Sequence, residues 1–242
     1  PRPADPVRMT RRIGWYVHHH GRGHLTRLLA VAPFVDAAVD CFSSLPEPED
    51  LPPNCRWFLL PRDDDSVGGR DPAASAPTAG GVVHWAPLGH PGHRERLTMI
   101  AARLVESPVD AFVVDVSVEV AVFARLLGVP VLLMTQPGVR DDAPHRLAFD
   151  VASVILAPWP GELLRPAHLE PFSAKTVFTG GISRFSGRTR PERRGEDVIV
   201  LGGAGGSTTT DADVVRAQEA TDKRWRRLGG AAWSTDPWDD IA

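Results

Sequence analysis

Residues 13–27 read Ile-Gly-Trp-Tyr-Val-His-His-His-Gly-Arg-Gly-His-Leu-Thr-Arg, and they predict the architecture of the chain. An apolar segment, Ile13–Val17, runs into a loop of histidine and glycine, and a stretch with helical spacing follows. A strand, a glycine loop and a helix in that order present backbone N–H groups and the positive end of a helix to an anionic ligand. We therefore expect the chemistry of the protein to lie in this loop. The apolar residues at helical spacing are Leu25, Leu28, Leu29 and Ala32.

Short apolar segments alternate with helical ones over the rest of the first 181 residues. The apolar segments mostly lack polar alternation, which is typical of strands buried on both faces of a parallel sheet. Their alternation with helices predicts an α/β domain with a doubly wound, Rossmann-like sheet, in which ligands bind beyond the carboxyl ends of the strands. The predicted strands are Ile13–Val17, Ala38–Ser43, Arg56–Leu60, Ala111–Asp115, Val129–Met134, Ser153–Leu156 and Thr176–Thr179, and the predicted helices are Leu25–Ala37, Arg94–Val105, Val118–Leu127 and His145–Val151.

The pattern restarts late in the chain. A strand from Val198 runs into the glycine-rich residues 202–207, and a helical segment begins at Asp211. A self-sufficient α/β domain needs more residues than the 45 from Val198 to Ala242, so we expect an incomplete second Rossmann-like domain. The predicted organisation is a disordered arm (1–12), an N-terminal domain (13–181), a polar, arginine-rich linker (182–197) and this second domain (198–242).

Residues 61–92 interrupt the alternation and predict a long mobile loop on the ligand side of the sheet. They begin with an acidic run, Asp63–Asp65, which is compatible with a metal site or with a solvent-exposed turn. Consecutive side chains do not easily converge on one ion, and this favours the solvent-exposed turn.

Composition excludes several classes of protein. The formal net charge of −3 gives no general attraction for nucleic acid or acidic membranes. No run of about 18 apolar residues predicts a membrane span, and no signal peptide is visible, although peripheral membrane contact stays compatible with the sequence. The two cysteines, Cys41 and Cys55, do not make a disulfide framework. We therefore expect a cytoplasmic protein.

The first loop matches no common cofactor motif. A metal held by its histidines is disfavoured because the loop has no carboxylate or cysteine to complete a site. Residues 21–26 lack the third glycine of a dinucleotide fingerprint, and a P-loop lysine is missing. His24 stands at the first turn of the predicted helix, where the helix dipole disfavours imidazolium, so it could serve as a base toward a hydroxyl or simply cap the helix. Asp115 could orient His24, contact an acceptor or cap the next helix, and Gln136 and Arg140 could bind acceptor hydroxyls or be ordinary loop residues.

Four segments taken together resemble the N-terminal half of a GT-B glycosyltransferase of the MurG-like and UDP-glycosyltransferase-like group. They are Gly21–His24, Asp115–Glu119, Gly128–Pro130 and Gly180–Phe185, and their order and spacing carry the resemblance over residues 13–207. In that group an early G-x-G-H-type loop faces the cleft between two domains and helps to bind acceptor and donor phosphate. A glycine-rich loop that residues 202–207 resemble lies at the donor phosphates.

The resemblance implies a metal-independent glycosyltransferase of hexosyl- or N-acetylhexosaminyl-transferase type. It would move a sugar from a nucleotide-sugar, expected to be UDP-linked, to the hydroxyl of a small or lipid-linked acceptor, with no cofactor besides this co-substrate. A non-catalytic module that binds a sugar or nucleotide stays open as an alternative. A nicotinamide-dependent oxidoreductase is disfavoured, because Ser43 and Ser44 stand where an acidic residue should end the second strand.

The resemblance also assigns expected site residues. Two departures from the group's pattern bear on them: histidines 18–20 replace some glycines of the first loop, and the group's ribose-binding segment would lie beyond residue 242. The expected catalytic residues are His24 and Asp115; the expected substrate-binding residues are His20, Gly21, Arg22, Gly23, Arg27 and Gln136; the expected donor-phosphate residues are Gly203, Gly205, Gly206 and Ser207; no metal ligand is expected.

Overall fold

A computed structural model of the chain describes residues 11–187, 189, 197–202 and 209–229. The expected donor-phosphate residues Gly203, Gly205, Gly206 and Ser207 lie outside these ranges. So do residues 1–10 of the predicted arm and most of residues 188–196 of the predicted linker.

Seven parallel strands form the main sheet, which confirms the predicted doubly wound α/β fold. The spatial order is β3-β2-β1-β4-β5-β6-β7, so the chain reverses its direction of travel between β1 and β4. In doubly wound sheets such a reversal opens a crevice at the carboxyl ends of the two strands. The strands are β1 (Arg12–Tyr16), β2 (Ala38–Ser43), β3 (Cys55–Leu59), β4 (Ala111–Asp115), β5 (Val131–Met134), β6 (Val154–Ala157) and β7 (Thr176–Phe178).

Both faces of the sheet are packed, and this explains the unbroken apolar runs of its strands. Trp15 and Val17 at the end of β1 pack on one side with Leu28, whereas Tyr16 packs on the other with Phe112. Gly14 pairs in register with Phe112, and a Cβ at Gly14 would lie 2.5 Å from that ring. The glycine therefore lets the aromatic side chain pack against the central strand.

Helices α1 (Gly23–Val31), α2 (Pro91–Glu106), α3 (Val118–Leu126) and α4 (Ala143–Val151) flank the sheet. The prediction that the first helix reaches Ala37 is wrong, because the chain tightens into a 3-10 helix at Ala32–Phe34, which contains Pro33. Proline lacks the N–H that an α-helix interior requires. Helices α2 and α4 begin two or three residues earlier than predicted, since His90 and Asp142 cap them ahead of a proline. A further 3-10 helix, Ala167–Lys175, was not predicted.

A second, two-stranded parallel sheet follows. Strand β8 (Val198–Gly202), helix α5 (Asp211–Glu219) and strand β9 (Trp225–Gly229) form one βαβ unit. Strand β9 was not predicted.

The chain divides into two compact units: the larger takes in described residues up to His19 and from His24 to Arg184, and the smaller takes in residues 20–23 and described residues from Phe185 onward. In the described part of the chain, no helix is both long enough and apolar enough to span a membrane.

Candidate active site at the strand reversal

The structure brings His24 and Asp115 together at the reversal between β1 and β4. Asp115 is the last residue of β4 and is fully buried, and His24 is the second residue of α1. Their atoms Nδ1 and Oδ1 lie 3.0 Å apart. The two residues are 91 positions apart in the sequence (115 − 24), and the parallel sheet places both at one edge.

Arg27 lies one helical turn beyond His24 and contacts the same carboxylate oxygen. Its guanidinium donates a hydrogen bond of 2.5 Å to Asp115 Oδ1. A buried carboxylate is costly unless a partner compensates its charge, and Arg27 provides that charge. The expected role of Arg27 is substrate binding, and in the structure its guanidinium contacts Asp115.

Two atoms of this cluster remain without a hydrogen-bond partner among the described residues. They are Asp115 Oδ2 and His24 Nδ1, both of them buried. The 3.0 Å contact between the two side chains lacks the alignment of a hydrogen bond. Catalytic pairs in ligand-free enzymes are often poorly aligned and become aligned when substrate binds.

The turn after Asp115 has an uncommon backbone conformation. Val116 has a φ of 60°, a region that β-branched side chains rarely occupy. Such strain costs about 1–3 kcal/mol and is concentrated at functional sites. Ser117 then caps α3 by accepting from the Val120 N–H, so the alternative that Asp115 caps this helix is wrong. Nothing in the residue type of Val116 points to this conformation.

The loop before α1 turns at Gly21, whose φ is 73°. A Cβ built on Gly21 or Gly23 would meet no described atom within 4 Å. His20 and Arg22 are exposed, and the His18 ring lies 5.7 Å from that of His24. These positions are compatible with the predicted contact to a ligand.

Gln136 follows β5 on the same edge of the sheet. Its Oε1 accepts a hydrogen bond of 3.3 Å from Arg140. This contact fixes the side chain within its own loop, and its predicted binding role stays a prediction.

The acidic run in the long loop is built differently from the predicted solvent-exposed turn. Asp63 is buried, pairs with the Arg96 guanidinium, and has Oδ2 3.1 Å from His93 Nδ1. Arg96 in turn donates to the Tyr16 hydroxyl at 2.8 Å. The prediction is therefore wrong for Asp63, whereas Asp65 is exposed as expected.

Opposing effects set the charge states in this network. Burial acts to raise the pKa of Asp63, but the His93 hydrogen bond and the Arg96 charge outweigh it and lower the pKa to about 2. Burial raises the pKa of Tyr16 to about 12, against the opposing charge of Arg96. The network therefore joins a charged aspartate of the loop to a neutral tyrosine at the end of β1.

Glu119 fixes the later part of the same loop to α3. Its Oε1 accepts backbone hydrogen bonds from His84 at 2.7 Å and Trp85 at 2.8 Å, and Ser117 donates to its Oε2. The Trp85 indole also donates to the carbonyl of Asp63. Sequence analysis missed this role of Glu119, because a carboxylate in the first turn of a helix is common without any long-range partner.

The fold is similar to that of several solved glycosyltransferases. One is a UDP-glucosyltransferase from Polygonum tinctorium capable of glucosylating indoxyl, in complex with 3,4-dichloroaniline (TM-score 0.56, 15% identity, 91% of this chain covered). Two others are the glycotransferase of kitacinnamycin (TM-score 0.57, 13% identity, 94% covered) and the calicheamicin glycosyltransferase (TM-score 0.57, 16% identity, 95% covered). At these identities the likeness establishes the GT-B fold of the chain.

The chain spans about two thirds of the length of these structures: 66%, 68% and 67%, respectively. No protein-family model and no curated protein sequence matches it.

Proposed function

We propose that this chain carries the acceptor side of a glycosyltransferase that moves a sugar from a UDP-linked donor to a hydroxyl group. The observation that carries the proposal is the contact of His24 with buried Asp115 at the strand reversal. The similarity of the fold to glycosyltransferases supports the same reaction class. We propose a small or lipid-linked acceptor, a cytoplasmic location, and no metal in the transfer step.

His24 would act as the general base. Asp115 faces Nδ1 of the imidazole, which leaves Nε2 to take the proton from the acceptor hydroxyl. The acceptor oxygen forms a bond to the anomeric carbon while the bond from that carbon to the diphosphate oxygen breaks. Asp115 stabilises the imidazolium that results, and Arg27 balances the buried carboxylate before the proton moves.

Backbone N–H groups would stabilise the charge that develops on the departing diphosphate. No described atom lies within 4 Å of a Cβ built on Gly21 or Gly23, which is compatible with the close approach of a phosphate in this role. The same function is proposed for Gly203, Gly205, Gly206 and Ser207 on the basis of the sequence alone.

The test is His24→Ala in the full-length protein, with UDP release from UDP-glucose and UDP-N-acetylglucosamine measured against a panel of hydroxyl acceptors. Removal of a general base lowers turnover by about 10²-fold or more. Arg125→Gln is the matched control, because this exposed residue lies in the last turn of α3, toward the opposite edge of the sheet. Unchanged turnover in His24→Ala would refute the assignment. UDP binding by calorimetry without transfer to any acceptor would instead indicate a non-catalytic binding module.

A further inference from the structure

A second cluster of chemically active side chains includes neither His24 nor Asp115. His84 comes from the long loop before α2, Asp142 caps α4, and His145 lies one turn into that helix. One ligand atom from each of the three lies within 4.8 Å of the others. We propose that these residues form a binding site for a divalent transition metal of the Zn²⁺ class.

The donor set and its spacing suit this ion. Two imidazoles and a carboxylate are ligands that Zn²⁺ binds at about 2.0–2.2 Å, with ligand atoms roughly 3.3 Å from one another in a tetrahedron. Asp142 Oδ1 lies 2.7 Å from His145 Nδ1 and 3.6 Å from His84 Nε2. Both separations are within about 0.6 Å of that spacing, and the ligand atoms of the two histidines lie within 4.8 Å of each other. The fourth position stays open to water.

The structure also holds the three ligands in place before any metal binds. Asp142 is fixed as the cap of α4, and all its contacts with described residues use Oδ1, which leaves Oδ2 available to a cation. The backbone of His84 is held by Glu119, and its ring meets that of His145 edge-on at 4.6 Å.

A bound ion would have a structural consequence within the larger unit. It would join the loop that contains His84 and Trp85 to the first turn of α4. The same loop is already fixed to α3 by Glu119. The metal would therefore hold this loop to α4 as well as to α3. The inference is independent of the proposed function, since its readout is metal binding.

The test uses the full chain, stripped with chelator and titrated with Zn²⁺ alone by calorimetry and with Co²⁺ alone by visible absorption. We expect one ion per chain at this site and the intense d–d bands of tetrahedral Co²⁺. His84→Ala removes an exposed ligand, and Asp142→Ser removes the carboxylate while keeping a residue that caps helices well. Each should weaken binding by at least about 100-fold, more than the roughly 10–100-fold cost of losing a supporting hydrogen bond.

His168→Gln is the matched control, because this histidine stacks on Phe149 of α4 and is not among the three ligands. It should bind Zn²⁺ like the parent chain. Circular dichroism confirms that each variant is folded. Absence of Zn²⁺ binding to the parent chain would overturn the proposal. So would binding that survives in the double variant His84→Ala/Asp142→Ser, because the ion would then be held elsewhere.

Discussion

Asp63 and Asp115 are both buried beside an arginine, but their environments differ. Each carboxylate oxygen of Asp63 has its own side-chain contact: the Arg96 guanidinium at Oδ1 and the His93 imidazole at Oδ2. In Asp115 one oxygen contacts both Arg27 and His24, whereas the other has neither an ion-pair contact nor a hydrogen bond among the described residues. A buried carboxylate paired at both oxygens is suited to holding structure. One that keeps an unpaired oxygen beside a histidine is suited to chemistry, and this contrast can be tested.

The largest expected effect is a loss of stability when Asp63 is replaced. Asp63→Ala leaves Arg96 as an uncompensated buried charge, which costs about 3–5 kcal/mol in the free energy of unfolding. Asp65→Ala, two positions along the same acidic run, removes an exposed carboxylate and should cost less than about 1 kcal/mol. Urea denaturation of both variants measures the difference. Equal losses of unfolding free energy in the two variants would show that Asp63 does not hold the loop in place.

The next largest effect is a loss of catalytic turnover when Asp115 is replaced. Asp115→Asn should lower turnover by about 10²-fold or more, because the amide cannot stabilise the imidazolium. The amide oxygen still accepts from Arg27, so the free energy of unfolding should fall by no more than about 1–2 kcal/mol. Turnover and urea denaturation are measured on the same preparation. Full activity in this variant would show that catalysis does not require the Asp115 carboxylate.

The pH dependence of stability should follow Asp63. Its pKa is lowered from 3.8 to about 2 in the folded state, so its contribution is present above pH 3.8 and is lost as the pH falls toward 2. The shift corresponds to about 2 kcal/mol. Denaturation midpoints measured between pH 5 and pH 2 should fall less steeply in a folded Asp63→Asn variant than in the parent chain. An unchanged slope would contradict the role given to this carboxylate.

The smallest expected effect concerns the turn beside Asp115. Val116→Gly relieves the strain of a positive φ and should raise the free energy of unfolding by up to about 1 kcal/mol, after the backbone entropy of glycine is deducted. Val118→Gly is the control, since it removes a buried side chain from the first turn of α3 and should destabilise. Thermal unfolding of both variants measures the change in stability of each. Destabilisation in both variants would show that the turn at Val116 carries no strain.

Much of the fold could be predicted because a buried strand is recognisable from a short run of apolar residues. The limits Ala38–Ser43 and Ala111–Asp115 match those of β2 and β4, where apolar runs end abruptly at polar residues. Strand β9 was missed because Trp225–Gly229 includes two adjacent arginines, Arg226 and Arg227, and it pairs with a single neighbour, β8. Helix ends were less predictable than strands, since caps such as Asp142 act ahead of the apolar pattern.

The sequence by itself determined the parallel sheet and the placement of the loops after Val17 and Asp115 at one edge of it. Both follow from periodicity and from the rule that parallel strands end at one edge. Tertiary structure alone decided that Asp63 is buried while Asp65 is not, that Arg27 faces Asp115, and that Val116 adopts a positive φ. These outcomes depend on how loops close over the sheet and on which distant charges then meet, and no local pattern encodes either.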